Sequence, residues 1–217
     1  MKKLGRIIRE LIRISIFKTL YYNYFSSRVS RKNGGIIIIY KGASLYIEKG
    51  SKIIIDGGKF MYGYSYKNAI SYKAPSIIRI LDKSNLIVKG KFIVEYNCDI
   101  LVKDGATMEV GADSYFNCNT FVRCHKSIII GEEFLGANNL SIRDNDGHKL
   151  NGIYKATPVV IGKHVWCGMN VSIMKGVNIG EGVVIGANAL ITRDIPDACL
   201  AYGMPAEVHK QNIKWER

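Results

Sequence analysis

The chain has 217 residues, 47% of them hydrophobic, with 22 glycines and a formal net charge of +13; this suits one domain with a sizeable core, or one domain plus a small extension, and excludes two independent enzymes. No run of 18 apolar residues is present to span a membrane, and five cysteines without a Cys-x-x-Cys pair read as thiols of a reducing, cytoplasmic setting and not as a disulfide framework. The basic balance asks for an acidic partner, but the charge is clustered near the N-terminus without the aromatic platform of a nucleic-acid binder.

In chain order, residues 1–30 form a basic extension. Leu4, Ile7, Ile8, Leu11, Ile12 and Ile16 follow helical spacing, with Lys3, Arg6, Arg9 and Arg13 on other faces, so an amphipathic helix is predicted over Met1 to about Phe25. Nine basic residues in the first 32 face only Glu10. Such a helix either covers the end of the domain or a partner, or lies on the inner face of an anionic membrane. From residue 31 to about 130 the chain is rich in β-runs such as Ile36–Ile39, Ile53–Ile55 and Leu86–Val88, separated by glycine turns. A spacing of six links Ile80, Leu86, Phe92 and Cys98, and again Val110, Phe116, Val122 and Ile128. The tyrosine-rich tract from Tyr62 to Lys73 lacks that period and reads as an excursion, a candidate glycan-facing loop.

Residues 135–158 interrupt the register, and the polar centre from Ser141 to Leu150 is predicted to leave the core as a loop. From Ile161 to Ile195 the period is unbroken. Position one of each hexad holds Ile161, Cys167, Ile173, Ile179, Ile185 and Ile191, and position five holds Val165, Val171, Val177, Val183, Ala189 and Ile195. Position five and the next position one are two apart, so both point inward from a very short strand. A period of six does not fit a helix of 3.6 residues per turn. Short strands turned at fixed intervals stack as a solenoid, predicted over residues 31–200, with a short tail from 201 to 217.

These hexads, and the Tyr202-Gly-Met-Pro-Ala close, resemble the hexapeptide-repeat acyltransferases, in particular those that O-acetylate capsular or lipopolysaccharide sugars. The resemblance implies a left-handed parallel β-helix, a homotrimer, and acetyl-CoA as acyl donor with no metal. It also implies that His148, in the Asp-Asn-Asp-Gly-His loop, is the general base. Asp144 or Asp146 would orient its ring, unless either binds local backbone instead. Asn117 and Asn119 match the family's Asn-x-Asn and are the acceptor-binding candidates; an asparagine turn or ladder is the plainer account of Asn119. The coenzyme contacts fall on Trp166, Gly168, Met169, Ala187, Thr192, Arg193 and Lys210, and a backbone N–H between Trp166 and Gly168 would face the developing oxyanion.

Other readings compete. His164 sits at an outward repeat position, His125 on a coil surface and His209 in the tail. His125, His148 and His164 lack the closely spaced histidine pair of a zinc-dependent β-helix enzyme. An N-acyltransferase acting on an amino sugar, or a noncatalytic solenoid, are the alternatives; the loop carrying His148 favours an enzyme acting on a glycan hydroxyl, polymeric or lipid-linked.

Overall fold

The computed structural model describes residues 11–64 and 75–217. The alternating apolar residues form strands whose burial alternates with them, as in Ile77–Ile80 and Asp99–Val102. Each turn of the chain adds one strand to each of three parallel sheets. The first sheet runs from Val29–Lys32 to Asn178–Ile179, the second from Ile36–Ile39 to Leu200–Gly203, and the third from Ser44–Ile47 to Leu190–Ile191. Parallel pairing on all three sides, with crossovers made by the coil itself, defines a β-helix.

All the inward positions of the hexad tract are buried, including Ile161, Cys167, Ile173 and Ile185. At about 1.5–3 kcal/mol for each buried aliphatic side chain, this ladder is the main stabilising term. The two earlier six-residue series are also buried, from Ile80 through Cys98 and from Val110 through Ile128. Coil length is not constant, however. Leu86 pairs with Met108, 22 residues on, and Met108 with Ile128, 20 on. Val160 pairs with Asn178, only 18 on. The longer coils hold rings: Phe60 and Phe92 stack at 5.4 Å, and Phe116 meets Phe92 at 5.0 Å and Phe134 at 5.7 Å. Beyond Phe134 the buried interior is aliphatic or thiol. Coils touch so closely at one corner that a Cβ on Gly162 would lie 2.7 Å from the carbonyl carbon of Gly180, which is why that position carries no side chain.

Three expectations need correction. The terminal helix is broken: Ile14 bridges Tyr40, the Ser15 N–H donates to Ile39 O at 2.8 Å, and helix resumes only over Ile16–Leu20, widening to a π-turn over Tyr21–Phe25. Asn23 fixes this cap, donating to Ile37 O and accepting from Ile37 N–H. The earlier residues of the predicted helix, 1–10, lie outside the described residues. The tyrosine tract starts later than predicted, since Tyr62 is a core residue of the strand Lys59–Tyr64; its remainder, 65–73, falls outside the described residues. Finally, the excursion at 135–158 is shorter than its polarity suggests. Leu135–Gly136 and Ser141–Arg143 remain in the second and third sheets, with Ile142 fully buried, and only the antiparallel hairpin of Asn145–Leu150 with Ile153–Ala156 leaves the shaft.

The tail is also more structured than a simple extension. Leu200–Gly203 joins the second sheet, Ala206–Lys210 returns against it, and Trp215 lies flat on His164 at 3.9 Å.

Candidate active site

The sequence candidates gather on two corners of the shaft. One, between the second and third sheets, is lined by asparagines at positive φ: Asn97, Asn119, Asn139, Asn170 and Asn188. Asparagine tolerates this conformation because its short side chain bonds locally. Here each amide also reaches the next coil. Asn119 donates to Asn139 at 2.8 Å, Asn139 to Asn170 at 2.7 Å and Asn170 to Asn188 at 2.8 Å. Asn119 is therefore a rung of a ladder, the plainer of its two accounts. Asn117 lies two residues earlier; its N–H donates to Gly136 O, and the bonds from Ala137 to Cys167 and from Gly168 to Ile185 continue that column upward.

The same corner carries Gly168, Met169 and Ala187, which the resemblance assigns to the coenzyme. The Asn188 N–H donates to Met169 O, and a Cβ on Gly168 would lie 2.8 Å from the Ala187 nitrogen. Met169 and Ala187 thus stack one coil apart, both exposed. Beside them on the second sheet is Trp166, 43% exposed. It lines a cleft of about 460 Å³ with Lys91, Tyr115, Asn117, Leu135 and Arg217. Below the cleft, burial raises the Glu95 carboxyl above its usual range, against the Tyr115 hydroxyl that donates to it. Lys210 is further along, on the returning strand that closes the second sheet. The oxyanion assignment narrows: the Trp166 and Gly168 N–H groups already donate to Val183 O and Ile185 O at 2.9 and 2.8 Å, so neither is available.

The other corner, between the third and first sheets, carries the hairpin. His148 is exposed on its first strand and has no hydrogen-bond or ionic partner among the described residues. Neither aspartate orients it. Asp144 is fully buried and reaches back one coil, accepting from the N–H groups of His125, Lys126 and Ser127 at 2.8, 2.7 and 2.8 Å. Its carboxylate closes a turn, as an Asx-type acceptor does, and Asn145 adds a further bond. Asp146 pairs with Lys175 of the next coil. Thr192 and Arg193 directly follow the strand Leu190–Ile191 and are exposed at this corner. All the functional candidates are therefore present, but the hairpin and the asparagine corner are separated by the full width of the third sheet.

The remaining histidines have structural partners. His164 is held between Glu133 at 2.9 Å and the Trp215 carbonyl at 3.0 Å, and His209 stacks on Tyr202 at 3.6 Å. His125, which sequence reasoning left without a role, bonds through Nδ1 to the Tyr154 hydroxyl and so ties the hairpin to the preceding coil. Burial, helped by Lys103, holds its pKa below the ordinary value. No sequence signal links residues 125 and 154. All five thiols are free and buried; burial pushes Cys98 up to about 12 and also raises Cys124 and Cys167. A thiolate nucleophile is not offered here. Among the described residues no group of three or more His, Cys, Asp or Glu side chains is arranged to hold a metal.

Fold and repeats together define a hexapeptide-repeat left-handed β-helix. Residues 158–193 match the family model described as bacterial transferase hexapeptide (six repeats). Among curated proteins, the chain is 36% identical over 126 residues to the polysialic acid O-acetyltransferase of Escherichia coli O1:K1 / APEC, covering 55% of this chain and 41% of that protein. It is 35% identical over 112 residues to the galactoside O-acetyltransferase of Escherichia coli strain K12, covering 49% of this chain and 55% of that one. The matches thus span about half the length of these relatives. Among solved structures, the polySia specific acetyltransferase NeuO superposes with a TM-score of 0.60 at 25% identity, over 88% of this chain and 90% of that chain.

Proposed function

We propose that the protein is an acetyl-CoA-dependent O-acetyltransferase that modifies a hydroxyl of a capsular or lipopolysaccharide-type glycan and works as a homotrimer. The observation that carries this reading is the division of the candidate residues between two corners of one shaft. A hairpin carrying a histidine with no partner among the described residues is of little use alone on one corner, and an exposed edge beside Asn117 is equally incomplete on the other. A neighbouring copy supplies the missing half to each, which a closed three-fold ring does for every protomer at once. The names of the relatives supply the acetyl group and the sugar acceptor.

Acetyl-CoA, when bound, supplies the acetyl group as a thioester. The exposed edge formed by Gly168, Met169 and Ala187 suits an extended thin ligand because Gly168 and Ala187 present little side-chain bulk, with the exposed Met169 as an apolar flank. Arg193 and Lys210 are exposed cations for phosphate groups. His148 takes the proton of the acceptor hydroxyl as that oxygen attacks, and returns it to the departing sulfur. The test is acceptor-dependent release of CoA thiol from acetyl-CoA across a panel of capsular and lipopolysaccharide oligosaccharides. Release with a glycan and not with water is the expected result. No release, together with no acetyl-CoA binding by calorimetry, overturns it in favour of a noncatalytic solenoid.

The reading extends to where the reaction takes place, at the cytoplasmic face of an anionic membrane, on acceptors that include lipid-linked glycans. The N-terminal cap supports this, since only one of its faces meets the shaft. Its other face leaves Phe17 89%, Phe25 77% and Tyr24 66% exposed, and Arg13, Lys18, Arg28, Arg31 and Lys32 lie around it with no acidic residue between positions 11 and 32. Apolar rings with a cationic rim favour the bilayer interface. Phe17→Ser with Phe25→Ser is expected to abolish co-sedimentation with anionic vesicles, since each ring buried in the bilayer contributes about 1.5–3 kcal/mol, while the melting temperature holds because both rings are exposed in the protein. Unchanged sedimentation rejects the membrane contact.

A further inference from the structure

Between the two corners lies the outer face of the third sheet, where positive charge is left over. Arg79, Leu101, Arg123 and Arg143 share one register position in four successive coils. Asp99 is the one carboxylate among the described outward residues of these strands. It accepts from Arg79 at 2.7 and 3.0 Å and from Arg123 at 2.8 and 3.1 Å. Burial opposes its charge, but these bonds hold its carboxyl below the usual carboxylate range. Asp99 is thereby saturated.

Arg143 has no carboxylate partner among the described residues; its guanidinium lies 5.8 Å from the centre of the Phe121 ring, and that of Arg123 lies 3.5 Å from it. Three guanidinium groups against one carboxylate leave two positive charges on a small surface. The arrangement is not the cheapest way to stabilise a sheet: burial and the like charges of Arg79 and Arg143 all disfavour the charged form of Arg123. Aliphatic or threonine side chains would cover the same strands without repulsion. An arginine fork on a flat partly apolar floor fits a planar carboxylate by two parallel bonds.

We propose that this face is an acceptor subsite for a carboxylate-bearing sugar, with Arg143 as the principal fork and Arg123 and Phe121 as its floor, so that the glycan modified is an acidic one. This deepens the transferase reading and rests on it, because the subsite gains its role from lying between the two corners that carry the candidate site.

The test separates binding from turnover. Wild type, Arg143→Gln and Arg143→Lys are titrated at low salt with an oligosaccharide of a carboxylated sugar, with its carboxyl-reduced counterpart and with a phosphorylated neutral oligosaccharide, and binding is followed by NMR line broadening or calorimetry. The same acceptors are then used in the CoA-release assay. The expected result is binding of the carboxylated chain well above its reduced form, weakened about tenfold or more by Arg143→Gln and less by Arg143→Lys, with the melting temperature held in both variants. Equal affinity for carboxylated and reduced chains, or no effect of Arg143→Gln, overturns the subsite; preference for the phosphorylated chain overturns the carboxylate assignment. Arg143-dependent binding without CoA release for any acceptor sinks the transferase reading and leaves the subsite standing. CoA release with neutral glycans and no charge preference does the reverse.

Discussion

Replacing His148 by asparagine is expected to lower acetyl transfer by about 10²–10⁴-fold, the range ordinarily lost with a general acid–base group and equivalent to about 3–5 kcal/mol of barrier. The variant should melt with wild type, since His148 is exposed and holds no partner among the described residues. The measurement is initial-rate CoA release at saturating acetyl-CoA, beside a thermal melt. A folded variant with near-native transfer would remove His148 from the mechanism and direct attention to His125, the histidine at the base of the hairpin.

The second large effect concerns stability. Asp144→Ala removes a fully buried carboxylate that three backbone N–H groups and the Asn145 amide share. Leaving buried donors unpaired costs about 1–3 kcal/mol each, so a loss of about 3–5 kcal/mol is expected in chemical denaturation, a size reserved for broken buried networks. The hairpin should loosen with it, because the Thr157 N–H donates to the Asp144 carbonyl where the chain re-enters the shaft. Asp144→Asn keeps one acceptor oxygen and should fall between. Were Asp144 instead the residue that orients the His148 ring, Asp144→Asn would displace the pH–rate profile and leave the denaturation midpoint in place. The two roles are thus told apart by which measurement moves.

The solenoid was legible because inward positions repeat every six residues from Ile161 to Ile195, and no other regular structure accommodates that period. The start of the excursion was not, because polarity is a poor guide inside a short strand. Ser141 and Arg143 face outward on either side of buried Ile142, and a run of polar residues with one isoleucine looks like a loop. Asp144 illustrates a deeper limit. Its neighbours in space are 17–19 residues away in sequence, one coil back, whereas His148, four residues on, is not among them. The asparagine ladder was hidden for a related reason. Its members fall at 97, 119, 139, 170 and 188, so the intervals are 22, 20, 31 and 18 residues, and only the last equals three hexads. The Asn-x-Asn pattern falls on this corner, where the Asn119 amide is a rung of the ladder.

The shortening of the coils toward the C-terminus makes the shaft a tapered prism. Circumference and filling go together: the 22- and 20-residue turns enclose phenylalanines, and the 18-residue turns enclose only branched aliphatics, alanine and cysteine. Close packing permits neither a wide empty turn nor a narrow one with a ring inside. Length variation along this chain is therefore correlated with residue volume, and a pair of residues inserted at a corner is tolerated only where an inward aliphatic becomes aromatic.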